Sequence, residues 1–308
     1  MASEQSLANK AYWEAAAKQG PLAPQAMIER VDIGWTSLSA EPGGVDYIEV
    51  DTGGVRAMWV RPKDAADDRV IFYAHGGGFV SGSIYTHRKM VGHLAKAVGC
   101  RALLFEYPYA HEQKYPAQLN ATVAAYRWLL AEGVDPKHIA VAGDSAGAIL
   151  TFGLLQQVRD DRMPLPAAVM ILSGWLDLTL SAPSFDTNRG KDAFFTREVV
   201  GWLASNFLGD GDPHDPLASP LYADLKALPP IFLQAGGDEA LVDESRMFAE
   251  RARQAGVDVR LDVFPEMLHS FQMMAGRAPE ADDAIQCLAN WVRPKLGIDP
   301  VAREGARP

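Results

Sequence analysis

Short apolar runs separated by stretches of helical periodicity constrain this chain more than any other feature. Val70–Ala74 (VIFYA), Ala102–Glu106, Ile139–Gly143, Ala168–Ser173 and Ile231–Ala235 are too short for stable helices. They are largely apolar without alternation, as strands covered on both faces must be. Between them lie helical patterns near Lys89–Val98, at Gln118–Glu132, from Ala146 onward and at Asp243–Ala255. A strand at Val259–Phe264 and a helix from about Glu280 to Val292 complete the series. Parallel strands need crossover connections, and helices supply them, so this alternation predicts an α/β fold with a mostly parallel central sheet and helices on both faces. Upstream, Asp46–Val50 and Val55–Val60 flank Asp51-Thr52-Gly53-Gly54 and read as a β-hairpin.

Two regions depart from that rhythm. Residues 177–216 are too many for an ordinary loop and carry Phe194, Phe195, Trp202 and Phe207, which predicts a helical insertion lying over the strand ends. At the start, Leu7–Lys18 reads as a helix with Leu7, Tyr12, Trp13 and Ala16 near one face, ended by Gly20-Pro21, and Met27–Val31 as a second, short helix. The expected organisation is an N-terminal cap segment over 1–45, a main domain over 46–298 with a cap insertion at about 177–216, and a flexible tail over 299–308. Tyr12 and Trp13 are expected to help close the pocket. The last strand, Val259–Phe264, should form a sheet edge, and an open edge invites pairing, which predicts a homodimer.

Charge limits the partners. Asp and Glu outnumber Lys and Arg 39 to 29, a formal charge of −10, which argues against nucleic acid or an anionic membrane and favours a small neutral molecule. The two cysteines, Cys100 and Cys287, have no zinc-type spacing, so neither a metal nor a cofactor is expected. Without a basic start followed by an apolar run, and without some 18 consecutive apolar residues, the chain is expected to be soluble and cytoplasmic.

Gly143-Asp144-Ser145-Ala146-Gly147 is a G-x-S-x-G motif placed between a strand and a helix. In that context a serine sits on a tight turn with its hydroxyl above the sheet, and the next amide opens a helix whose free N–H groups favour developing negative charge. The bland alternative, a glycine-rich turn with an incidental serine, does not account for the flanking elements. His75-Gly76-Gly77-Gly78-Phe79 follows VIFYA directly. A glycine run at the end of a buried strand lets backbone N–H groups turn toward a ligand, as an oxyanion hole requires. His269, in the loop past the last strand, is the one of seven histidines that completes the order serine, acid, histidine. His75 is expected to anchor the glycine loop, and the rest to be structural or superficial.

These motifs, with Leu241-x-Asp243-Glu244, Tyr115-Pro116-Ala117, Ser173-x-Trp175-x-Asp177 and Leu228-Pro229-Pro230, resemble the bacterial hormone-sensitive lipase family of carboxylesterases, from about Val70 to Phe271. The resemblance implies the α/β-hydrolase fold, a helical cap, a serine triad, and an oxyanion hole formed by the N–H groups of Gly77, Gly78 and Ala146. It also agrees with a homodimer formed around the last strand. The chain departs from the family at Tyr107-Pro108-Tyr109-Ala110-His111-Glu112, where the family commonly reads Tyr-Arg-Leu-Ala-Pro-Glu. The acid of the triad falls at Asp238 or Glu239. The family spacing acid-x-Leu-x-Asp, counted back from Leu241 and Asp243, selects Glu239. Catalytic residues are therefore expected at Ser145, Glu239 and His269.

The expected activity is hydrolysis of small, neutral, apolar carboxylic esters through an acyl-enzyme. Pocket walls are expected from Phe79, Tyr109, Trp175, Phe194 and Trp202. A lactone would suit the same machinery. A non-catalytic binding protein on the same fold is the alternative from another class. Plant hormone receptors that resemble this family lack the histidine, whereas this chain keeps Ser145, His269 and an acid.

Overall fold

Side-chain alternation along the strands explains how the sheet is covered. The computed structural model describes residues 1–18 and 24–299, so the helix stop at Gly20-Pro21 and all but the first residue of the expected tail lie outside the described residues. Eight strands form one sheet: β1 (Val45–Asp51), β2 (Arg56–Pro62), β3 (Ala66–Ala74), β4 (Cys100–Phe105), β5 (Ile139–Asp144), β6 (Ala168–Leu172), β7 (Ile231–Gly236) and β8 (Val259–Phe264). Their order is β1-β2-β4-β3-β5-β6-β7-β8, antiparallel at β1–β2 and β2–β4 and parallel elsewhere. The expected α/β class, a mostly parallel central sheet with helices on both faces, is what the chain adopts.

Successive side chains of a strand point to opposite faces. Phe72, Leu103, Val141, Ile171 and Leu233 accordingly join the core under α4 (Ala117–Ala131), α5 (Ala146–Asp160) and α8 (Val242–Gln254). Ile71, Tyr73, Leu104, Met170 and Phe232 join the opposite core, under α3 (Ile84–Val98) and α9 (Pro279–Val292). Local signals set the helix ends. A capping box between Ser83 and Thr86 starts α3, and Gly99, in the left-handed region at φ 79°, ends it. No helix among the described residues is long and apolar enough to cross a membrane.

Two N-terminal helices precede the sheet, α1 (Glu4–Ala17) and α2 (Pro24–Leu38). The second is far longer than the Met27–Val31 expected. Gly34 lies inside it, and a Cβ there would stand 2.9 Å from the Trp13 ring, so close packing between the two helices outweighs the low helical propensity of glycine. The apolar face expected for α1 is also narrower. Trp13 and Ala16 are buried, but Leu7 and Tyr12 are exposed. Polar groups seat the rest of that helix: Ser3 and Ser6 hydroxyls donate to Glu280, and Lys10 pairs with Asp238. Residues 177–216 carry a short helix, α6 (Ser184–Thr187), and a longer one, α7 (Arg197–Leu208).

Candidate active site

Strands β3 and β5 are neighbours, with Ala74 paired to Gly143, so the glycine loop and the serine turn leave the sheet side by side. This is the point where the chain, having crossed to β4, returns past β3 to β5. Clefts form at such reversals of strand order. Only Ser145 separates β5 from α5, and its φ of 51° with ψ of −122° is costly for a residue with a Cβ. The surroundings over-determine that strain. Ser145 N–H donates to Leu172 O (3.1 Å), and Ser145 O accepts from Trp175 N–H (3.0 Å). Glycine is obligatory beside it, because a Cβ on Gly147 would stand 2.0 Å from Ala74 O.

The glycine loop is turned by its own backbone. Gly77 O accepts from Val80 N–H, Ser81 N–H and the Ser81 hydroxyl, and φ is 119° at Gly77 and 61° at Gly78. Neither Gly77 N–H nor Gly78 N–H has an acceptor among the described residues. Asp144 ties this loop to the serine turn, its Oδ1 accepting Gly76 N–H (2.9 Å) and the Tyr73 hydroxyl (3.0 Å). Burial would raise the Asp144 carboxyl, but the His87 imidazole, Nε2 3.4 Å away, and the Tyr73 hydroxyl hold it below the usual range. His75 is fully buried, stacked on Tyr107 at 4.3 Å, with Nδ1 2.8 Å from Gly76 O.

The acid and the imidazole come from the ends of β7 and β8. His269 Nδ1 lies 2.9 Å from Glu239 Oε2, with both side chains fully buried. The other Glu239 oxygen accepts Gly236 N–H at 3.2 Å. Burial pushes the Glu239 carboxyl up, partly offset by its hydrogen bond with His269. Asp238 faces the other way, its Oδ2 2.8 Å from Lys10 Nζ. Of the two adjacent acids, only Glu239 meets the imidazole. His269 Nε2 is buried without a hydrogen-bond partner among the described residues.

A cavity of ≈ 610 Å³ opens over Ser145, Gly77 and Gly78. Trp13, Val31 and Trp35 of α1 and α2 wall one part; Phe194, Phe195, Trp202 and Leu203 wall another, and Arg30 and Glu198 are its charged members. Phe194 and Trp202 thus line the cavity. The other three expected wall residues do not. Phe79 is stacked on Phe207 at 3.8 Å inside the core, the Tyr109 hydroxyl donates to Gly82 O, and Trp175 is buried with Nε1 donating to Asp177 O. Closeness in sequence to a motif says nothing about the side to which a side chain turns. Phe79, at φ 63°, is a case in point. Sequence reasoning missed Val31, Trp35 and Leu203; the first two lie four apart on α2 and become a pattern only once the full helix is known. Among the described residues no group of three or more His, Cys, Asp or Glu side chains is placed to share a metal ion.

A strained serine beside amides without an acceptor, under a cavity whose Phe195 wall also meets an imidazole held by a carboxylate, is an arrangement suited to acyl transfer. The comparisons agree. The family described as the alpha/beta hydrolase fold matches residues 71–273. An acetyl-hydrolase of Streptomyces hygroscopicus is 36% identical over 269 residues, 87% of this chain and 88% of that protein. An esterase of Acinetobacter venetianus is 36% identical over 239 residues, 77% and 78% of the two chains. The crystal structure of an esterase from the bacterial hormone-sensitive lipase family superposes with a TM-score of 0.93 at 39% identity, covering 96% of this chain and 100% of that one. The chain belongs to the α/β-hydrolase family. Within it, the protein is a carboxylesterase of the bacterial hormone-sensitive lipase kind, and the binding-only alternative is set aside.

Proposed function

We propose that the protein hydrolyses small, neutral, apolar carboxylic esters through an acyl-enzyme on Ser145. Ser145 Oγ attacks the ester carbonyl carbon while His269 Nε2 takes its proton. The N–H groups of Gly77, Gly78 and Ala146 receive the oxyanion of the tetrahedral intermediate. Collapse expels the alcohol, which leaves with the proton from Nε2. Water, deprotonated by the same nitrogen, then attacks the acyl carbon; collapse of this second tetrahedral intermediate breaks its bond to Ser145 Oγ, which takes the proton from Nε2 as the acid leaves. Glu239 keeps the proton on Nδ1 and stabilises the imidazolium, a task that either carboxylic side chain can perform. The observation that carries this reading is the 2.9 Å contact between His269 Nδ1 and Glu239, beside the Phe195 wall of the cavity that opens over the strained Ser145.

Substrate class follows from the walls. Trp13, Trp35, Phe194, Phe195 and Trp202 give the cavity a mostly apolar aromatic lining, which favours neutral acyl and alcohol groups. Residues 1–45 and 177–216 act together as the cap that supplies that lining and excludes water. The similarity to an acetyl-hydrolase supports a short acyl group. The test is a chain-length panel of p-nitrophenyl esters, acetate upward. Turnover with a burst of p-nitrophenol, abolished by a serine-directed organophosphate, is expected. Absence of turnover across the panel from folded protein overturns the reading.

A further inference from the structure

His269 meets Glu239 and the rings of Phe194 and Phe195, and one side chain binds the backbone of both segments that carry them. Glu239 accepts from Nδ1–H in the buried pair already described, and the Phe195 ring meets the imidazole edge to face, 4.7 Å between centroids at 88°. Phe195 belongs to the insertion, Glu239 to the turn after β7. Between these segments stands Asp192. Its Oδ1 accepts Phe194 N–H at 2.6 Å and Phe195 N–H at 2.9 Å, while Oδ2 accepts Ala240 N–H, the amide next after Glu239, at 2.6 Å. Ser184 and Asn188 also bridge the insertion to this turn, through Ala240 O and through Gly237 O and Glu239 O. Neither of them reaches the Phe194–Phe195 backbone.

We propose that Asp192 is a positioning residue for catalysis: its one carboxylate locks the aromatic wall and the Glu239 turn together, and so fixes the orientation of the His269 imidazole. The proposal rests on the triad reading above and adds a residue to it. Three hydrogen bonds to backbone amides are more than a carboxylate needs merely to be soluble, and charge-assisted bonds of this length are strong. Desolvation pushes the Asp192 carboxyl up, while Ala240 N–H, the nearby His269 imidazole and the two phenylalanine amides pull it back. Asp192 and Glu239 are thus two carboxylates that both sense the imidazole. Other charges nearby are already engaged: Asp238 with Lys10, and Lys191 with the Asn188 side-chain oxygen. Glu244, fully buried, also senses the negative field of Glu239.

Asp192→Asn tests this, because the amide keeps the shape but must turn an N–H₂ group against one of three N–H donors, and it removes the charge. Misplacing a catalytic group by about 1 Å costs on the order of 10²-fold in rate. The expected result on p-nitrophenyl acetate is a fall in kcat of about that size with KM changed far less. Loss of a negative charge near the imidazole also moves the acid limb of the kcat/KM profile to lower pH. Asp192→Glu, which restores the charge, should return the acid limb toward its original position. A folded Asp192→Asn enzyme with unchanged kcat overturns the proposal, as does a loss confined to KM with the acid limb unmoved. Should Asp192→Asn not fold, Phe195→Leu carries the test, since it keeps both amides on Asp192 and removes only the ring against His269; an unchanged kcat there overturns the lock. Ser145→Ala and Glu239→Gln run in parallel: if these stay active the triad reading fails, an outcome distinct from failure at Asp192.

Discussion

The floor of the site and its cover are built by different means. On the floor, Ser145, Gly77, Gly78 and Asp144 sit at the ends of adjacent parallel strands, held by backbone hydrogen bonds and by glycines that admit no side chain. In the cover, α1 buries only Trp13 and Ala16 and is otherwise seated through polar contacts such as Lys10 with Asp238 and Ala2 N–H with Glu266. Partly exposed ion pairs of this kind contribute about 0–1 kcal/mol each. The difference teaches that the proposed catalytic groups are set by neighbouring strand ends, whereas the cavity walls come from parts of the chain far apart in sequence.

Changes to the floor should therefore abolish turnover, and changes to the cover should redirect it. Ser145→Ala is expected to lower kcat by about 10⁶-fold while the thermal transition barely moves. Retaining a tenth of wild-type turnover in clean protein would remove Ser145 from its role. Next in size, Glu239→Gln should reduce kcat by ~10⁴-fold, since loss of the triad acid leaves the wrong imidazole tautomer. Asp238→Asn, one residue away but paired with Lys10, should change kcat by less than about threefold, because a partly exposed pair is worth so little. The reverse ranking would make Asp238 the acid.

Trp13→Ala probes the cover. It empties part of the cavity wall, so the kcat/KM ratio between longer and shorter acyl esters should shift by about tenfold. An unaltered ratio in the folded variant would make Trp13 a packing element only. The smallest effect is expected behind the floor, at Glu244. Its Oε2 accepts Leu176 N–H at 2.6 Å and Asp177 N–H at 3.1 Å, and burial drives its carboxyl well above the usual range. The folded chain then holds this proton more tightly than the unfolded chain. Its contribution is fully present below the unfolded pKa of about 4.3 and is lost as pH rises through the folded value. Glu244→Gln removes that loss, so the Tm of the variant relative to wild type should climb as pH rises above the unfolded value. A difference independent of pH would show that Glu244 titrates alike in both states.

How much was legible in the sequence divides along the same line. The strand order of motifs, the serine turn and the glycine loop could be read because each is a conformational demand on a few consecutive residues. The choice between Asp238 and Glu239 could be reasoned from spacing, and the hydrogen bond to His269 falls on Glu239. The pocket walls could not be read in the same way. Phe79 and Trp175 flank the motifs yet turn into the core, Tyr109 spends its hydroxyl on Gly82 O, and Trp35 and Leu203, remote from any motif, line the cavity.

By itself, then, the sequence determined the α/β alternation, the strained serine, the glycine loop and the order serine, acid, histidine, because strand period, glycine's access to positive φ and helix capping act over a few residues. Tertiary structure alone decided which aromatic rings line the cavity, that α2 runs through Gly34 to Leu38, and that Asp192 meets the backbone of both segments touching His269. The reason is physical: a side chain's direction and partners depend on how segments more than a hundred residues apart pack together, and close packing admits few arrangements of such rings.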